Sequence, residues 1–165
     1  MAQQGHRQVA QFGRRVFRAP VGEANVVEKM RAMKAVIGGE GSNGGIIFPA
    51  VHLCRDSYTG MAFLLDRMAE TGQSVTQLVA GLPRYYRRLG KVQFEHGRLG
   101  VLMQALEKTF PGVPVDRSDG LKMVWPDSWI HVRASNTEPL LRLAAEARTE
   151  ERLEWLYATV QRALC

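Results

Sequence analysis

The chain has 165 residues, 45% apolar and 23% charged, with a formal net charge of +6. That balance describes a folded protein with about one to one and a half ordinary domains, and it excludes a disordered tail. It also excludes, as a complete unit, any enzyme that must close several domains around its substrate. A positive balance suits a phosphate, a nucleic acid or an anionic surface. The two cysteines, Cys54 and Cys165, form no CxxC pair, so neither a disulfide framework nor a zinc knuckle is read. No apolar run is long enough to span a membrane. The first twenty residues hold four Arg and no apolar h-region, so no signal peptide is read and the cytoplasm is the expected compartment.

In chain order, residues 1–13 read as a weak helical tail ended by Gly13, and Arg14 to Arg18 as a short β-leaning run stopped by Pro20. From Ala24, the residues Val26, Val27, Met30 and Met33 recur at helical spacing. Ala35 to Ile37 reads as a brief buried strand entering the glycine-rich loop GGEGSNGG, and Ile46 to Phe48 as an extended run ended by Pro49. Asp56 or Ser57 is placed to cap a helix whose apolar stripe is Met61, Leu64, Leu65 and Met68. Gly72 ends it, and Val75 to Leu82 gives a short helical turn.

Residues 83–94, PRYYRRLGKVQF, are basic, aromatic and extended in character, and their neighbourhood reads as the seam between two units. Beyond it, Leu99, Leu102, Met103, Leu106 and Phe110 form one helix stripe closed by Pro111-Gly112. Val113 to Val115, LKMVW and WIHVRA are β-like runs, with turns at Asp119-Gly120 and Pro126-Asp127. LLRLAAEA alternates apolar residues, and a last helix follows with Leu153, Leu156, Tyr157, Val160 and Leu164 on one face. Helix, antiparallel strands, helix is an α+β plan.

Two loops are able to carry chemistry. In GGEGSNGG, residues 38–45, glycines permit close backbone approach and a single carboxylate stands among them. A central Glu repels a phosphate, but its two oxygens accept from neighbouring hydroxyls, as on a sugar. An ordinary glycine-rich hairpin with one exposed Glu is the plainer reading. In RASNTEPLLR, residues 133–142, two strands converge on a polar turn. Alternation puts His131 and Arg133 opposite in face to Ile130 and Val132. Ser135, Asn136 and Thr137 bring donors, the turn N–H groups can form an anion nest, and Arg133 and Arg142 each present a planar fork to phosphate oxygens. A solvated hairpin contains the same residue types. Taken together, the loops fit one ligand with hydroxyls and a phosphate, a phosphosugar.

These motifs resemble those of the α-D-phosphohexomutases, the superfamily of phosphoglucomutase, phosphomannomutase and phosphoglucosamine mutase. GGEGSNGG, with VGEANVVEKM upstream and HLCRDS downstream, is similar to that family's third-domain sugar loop. RASNTEPLLR, preceded by DGLKMVWPDSWIHV, is similar to the phosphate loop of its fourth domain. The resemblance implies a partial, mixed-sheet α/β domain over 1–82, a linker over 83–95 and an α+β domain with an antiparallel sheet and two helices over 96–165. It implies sugar binding by Glu40, Ser42 and Asn43, and phosphate binding by Arg133, Ser135, Asn136, Thr137 and Arg142. The implied ligand is a hexose phosphate or bisphosphate, with glucosamine or mannose phosphate preferred to glucose phosphate. The implied reaction of the full-length family moves phosphate between O1 and O6 through a phosphoserine, with Mg2+.

No Thr-x-Ser-His-Asn-Pro segment and no Asp-x-Asp-x-Asp-Arg segment occurs in this chain. No catalytic residue, metal ligand or cofactor is therefore assigned to it, and Mg2+ belongs to the domains it lacks. Gly44-Gly45 also stands where the commoner Glu-x-Ser-Gly-His loop has its His. The expected role is a C-terminal portion that grips phosphosugar and is inactive alone, its partners being the N-terminal domains or a full-length mutase. A stand-alone phosphosugar-binding or mutase-docking module is the alternative. A nucleic-acid-binding domain rests on charge and on Tyr85-Tyr86 among Arg84, Arg87, Arg88 and Lys91. No RNP, KH or helix-turn-helix pattern supports it, and a membrane partner is not expected. Arg55-Asp56 is either a pair that orients the sugar loop or a helix start. The four histidines show no metal spacing, and Trp125, Trp129 and Trp155 read as core or half-core aromatics.

Overall fold

The structure is a computed structural model that describes residues 13–40, 45–94, 96–135 and 138–164. The chain divides into two compact units, one ending at Pro83 and the other starting at Arg84.

The first unit contains α1 (Glu23–Met33), β1 (Gly38–Glu40), β2 (Gly45–Phe48), β3 (His52–Asp56), α2 (Ser57–Thr71) and α3 (Val75–Ala80). Helix α1 ends where Lys34 turns left-handed at φ 50°. Asp56 caps α2, accepting from the Tyr58 N–H at 2.9 Å and the Thr59 hydroxyl at 2.5 Å, and these bonds hold its carboxyl below the ordinary range. Gly72, left-handed at φ 66°, ends it. Ser74 and Gln77 form a reciprocal capping box on α3.

The three strands lie in the order β1-β2-β3, with Glu40 paired to Gly45 and Ile46 to Asp56. Where a mixed sheet was expected, the described pairs are antiparallel, since their connections are too short for a parallel crossover. Arg14 to Arg18 forms no strand, nor does Ala35 to Ile37, whose Val36 is 78% exposed. Helix α2 forms over the predicted span, yet its stripe covers no core: Met61, Leu64 and Leu65 are all exposed. Ile47 and Met30 are the buried apolar residues of this unit among those described.

The second unit contains β4 (Tyr86–Gln93), a 3-10 turn at His96–Arg98, α4 (Leu99–Thr109), β5 (Val115–Asp116), β6 (Leu121–Val124), β7 (Ser128–Ala134), β8 (Leu140–Ala147) and α5 (Glu150–Leu164). Its five-stranded sheet runs β4-β8-β7-β6-β5, every pair antiparallel. One face packs against the two helices. Leu121, Met123, Ile130, Val132, Leu141, Leu143, Ala145 and Ala147 meet Leu102, Leu106, Leu153, Leu156, Tyr157 and Val160 there. Period 2 in the strands and 3.6 in the helices supply those apolar faces.

Residues 83–95, expected as a linker, hold β4, which pairs with β8 along its whole length from Tyr86–Ala147 to Gln93–Leu140. Gly90 permits this, because a Cβ there would run into the Tyr157 hydroxyl of α5. Part of the segment's basic-aromatic character is used internally. Arg88 stacks on Tyr157 at 4.2 Å and pairs with Glu154, and Arg148 lies over Tyr85 at 5.5 Å.

Candidate functional site

In the first unit the predicted sugar-loop carboxylate, Glu40, ends β1 and is 8% exposed. A carboxylate so placed requires a counter-charge, and Arg55 on β3 supplies it, with Nη1 3.8 Å from Glu40 Oε2. The same guanidinium donates from Nε to Glu23 Oε2 at 2.5 Å, and this bond holds the Glu23 carboxyl below the ordinary range. Arg55 thus joins α1, β1 and β3 around Glu40. Of Arg55-Asp56, the first orients the loop carboxylate and the second starts the helix. Gly45 makes room, since a Cβ on it would stand 2.5 Å from Cβ of Arg55. Ser42 and Asn43 lie outside the described residues.

In the second unit the sheet face opposite the helices is polar. Strand alternation sends Ile130 and Val132 into the core and His131 and Arg133 to this face, as the sequence predicted. Arg133 on β7 stands directly opposite Arg142 on β8. Antiparallel partners are about 5 Å apart at Cβ, so two guanidinium groups share a small space, an arrangement unfavourable without anions. Acceptors from two turns answer it. Asp119 Oδ2 is 4.0 Å from Arg133 Nε. Arg142 donates from Nε to Ser135 Oγ at 3.3 Å and from Nη2 to Glu138 Oε2 at 3.1 Å. Beneath them Ser135 N–H donates to Leu140 C=O at 2.9 Å and closes the β7–β8 connection. Arg133, Ser135 and Arg142 are therefore neighbours, while Asn136 and Thr137 lie outside the described residues.

Asp119 was not singled out from the sequence for this site. Its turn is held by Gly120, at φ 78°, where a Cβ would collide with β7. His131 Nε2 also meets the Asp119 C=O, and burial pushes the imidazole below its ordinary value of 6.5. Lys91 was missed too. It faces Arg142 from β4, with Nζ 3.6 Å from Glu138 Oε2. Its signal was the extended character of GKVQF, but its pairing with a strand some fifty residues onward is non-local (Lys91 to Arg142).

Further along this face Trp129 Nε1 donates to Glu146 Oε1 at 3.2 Å, and Lys122 Nζ sits 4.3 Å over the Trp129 ring. Trp129 is thus buried, but not among the helix-side core. Burial raises the Glu146 carboxyl above its ordinary value. Trp155 is 48% exposed, edge-on to Phe110. Cys54 is an exposed free thiol. Among the described residues no three His, Cys, Asp or Glu side chains are grouped to hold a metal ion. No described helix is long and apolar enough to cross a membrane.

Both units match one family. Residues 1–86 match the alpha/beta/alpha domain III of phosphoglucomutase/phosphomannomutase, and residues 89–162 match its C-terminal domain. The chain belongs to the phosphoglucomutase/phosphomannomutase family and carries its C-terminal portion, as the motifs predicted. A phosphoglucomutase/phosphomannomutase of Thermococcus kodakarensis is 36% identical over 85% of this chain and 31% of its own length. A probable phosphoglucosamine mutase of Methanocella arvoryzae is 32% identical over 90% of this chain and 34% of its own. Among solved structures, a phosphoglucomutase/phosphomannomutase family protein from Burkholderia thailandensis superposes with a TM-score of 0.81 at 29% identity, over 98% of this chain and 35% of that one. The chain spans about a third of the length of these relatives.

Proposed function

We propose that this chain grips the phosphosugar in a phosphohexomutase and does not itself carry out phosphoryl transfer. The facing pair Arg133 and Arg142, with the Ser135 hydroxyl on Arg142, carries this reading. Two planar forks side by side offer parallel N–H donors to the oxygens of a phosphate that is not reacting, and its dianionic charge relieves their mutual repulsion. Asn136 and Thr137, which follow Ser135 in the sequence, add further donors. Glu40, oriented by Arg55, accepts from sugar hydroxyls together with Ser42 and Asn43.

The substrate class is a hexose phosphate or bisphosphate. Glucosamine or mannose phosphate is preferred to glucose phosphate on the form of the sugar loop. The whole protein's reaction on this reading is transfer of phosphate between O1 and O6. The phosphoserine and the Mg2+ it requires come from the N-terminal domains, which are this chain's partners, and the setting is the cytoplasm. The apolar face of α2, with Met61 and Leu65 exposed, supports such a partner.

Two assays on the pure chain test the reading. Calorimetric titration with glucosamine 6-phosphate or mannose 6-phosphate gives binding that Arg133→Ala abolishes. Incubation with hexose 1-phosphate, hexose 1,6-bisphosphate and magnesium gives no isomerisation. Binding untouched by Arg133→Ala overturns the phosphate assignment, and turnover overturns the noncatalytic one.

A further inference from the structure

Three cations lie in one row across three neighbouring strands of the second unit: Arg133 on β7, Arg142 on β8 and Lys91 on β4. Strand spacing puts successive members about 5 Å apart, so the row spans about 10 Å. Residues paired directly across an antiparallel ladder project to the same side, so all three face one another. The two outer members are differently balanced. Arg133 has Asp119 beside it, whereas Lys91 and Arg142 share a single carboxylate oxygen, Glu138 Oε2, at 3.6 and 3.1 Å. All three groups of that bridge are well exposed, at 60% for Lys91 and 43% each for Arg142 and Glu138. Ion pairs so open to water are weak and exchange readily.

Backbone hydrogen bonds close the hairpin beside Glu138. Leu140 N–H donates at 2.8 Å to the backbone C=O of Glu138, and Ser135 N–H donates to the Leu140 C=O. The carboxylate is therefore free to leave without undoing the hairpin. It is an anion lying where two cations converge, beside the Ser135 hydroxyl that Arg142 also engages.

We propose that Lys91 is a third cation of the phosphate site, and that Glu138 fills the site as an internal stand-in that an incoming phosphate displaces. This rests on the reading of Arg133 and Arg142 as phosphate-binding. A phosphomonoester carries nearly two charges and three terminal oxygens near neutral pH, against one charge and two oxygens for the carboxylate. It satisfies all three cations together, which Glu138 does not. Lys91 adds a point charge with freely rotating donors, complementing the planar forks of the two arginines. Displacement lowers the apparent affinity and selects for dianions over monoanions, because only the greater charge outcompetes the resident carboxylate. Lys91 also lies in the first strand of this unit.

The test uses the full chain and four variants, Glu138→Gln, Lys91→Ala, Lys91→Arg and Arg133→Ala, titrated calorimetrically with inorganic phosphate and with glucosamine 6-phosphate. Glu138→Gln keeps the side-chain shape and removes the competing charge, so both ligands bind about threefold to tenfold more tightly. Lys91→Ala weakens both by a similar factor, and Lys91→Arg, which keeps the charge, restores binding and controls for folding. Thermal midpoints verify that each variant is folded. Unchanged or weaker binding in Glu138→Gln, or unchanged binding in folded Lys91→Ala, overturns the proposal even where Arg133→Ala abolishes binding. If the unaltered chain binds neither ligand and Glu138→Gln does not restore binding, the phosphate reading itself fails.

Discussion

Arg133 and Arg142 stand face to face across the β7–β8 ladder, each supplied with an acceptor from a different turn, Asp119 for one and Glu138 for the other. Two like charges paired this way make little sense for stability alone. On the proposed reading they form an anion site whose charges Asp119 and Glu138 partly neutralise until a ligand arrives.

Stability and binding should therefore separate at this pair. Arg142→Ala removes the middle of three neighbouring cations along with one exposed and one part-buried hydrogen bond, and these nearly cancel. The ligand-free unfolding free energy is expected within about 0.5 kcal/mol of the unaltered chain. Affinity for hexose phosphate falls tenfold or more, about 1.4 kcal/mol. Chemical denaturation and calorimetry on the same sample check both numbers.

Gly90 is a packing constraint that places Lys91. Gly90→Ala forces its methyl against the Tyr157 hydroxyl and is expected to cost about 1–3 kcal/mol. Tyr157→Phe removes the atom first struck, so the double variant recovers part of that loss. A thermodynamic cycle measures it, and strict additivity contradicts the assigned clash.

Acidification acts through His131 and Glu146 with opposite signs. His131 has its folded pKa depressed by burial, so the unfolded chain binds its proton more readily. Its contribution is intact above the unfolded value of 6.5 and is lost as pH falls through the lower folded value. Glu146 is raised by burial, so its contribution is intact below the unfolded 4.5 and is lost as pH rises through the higher folded value. His131→Gln is expected to flatten the fall in stability between about pH 7.5 and pH 5, and Glu146→Gln to raise stability near neutrality. All three tryptophans lie in the second unit, so urea melts followed by fluorescence report that unit alone.

Arg55 does for Glu40 what the turn acids do for the arginines. Arg55→Ala leaves the buried Glu40 without its guanidinium and is expected to destabilise the first unit by about 1–2 kcal/mol, below the cost at a fully buried pair because Arg55 is 36% exposed. Hydrogen exchange at Glu40 and Gly45 reads the loss locally. Unchanged protection there contradicts the orienting role.

Local patterns carried most of the second unit. Alternation in WIHVRA and LLRLAAEA put Arg133 and Arg142 on the correct face, and the stripe from Leu153 to Leu164 became the buried side of α5. What the sequence left hidden were pairings between distant segments. PRYYRRLGKVQF read as a seam because its partner strand, β8, lies far along the chain, and Lys91 was hidden with it. Helix α2 shows the opposite failure. Its periodicity was read correctly, but periodicity only offers an apolar face, and among the described residues nothing buries Met61 or Leu65. Asp119 joined the site through a turn whose position against β7 depends on Gly120, a tertiary relation with no local signature.

The most direct test is the response of the arginine Nε–Hε resonances to glucosamine 6-phosphate by NMR. Arg133 and Arg142 are expected both to shift and to saturate with one affinity, and Arg133→Ala to remove the response of Arg142 at the same ligand concentrations. Saturable binding that leaves both resonances in place contradicts the phosphate assignment.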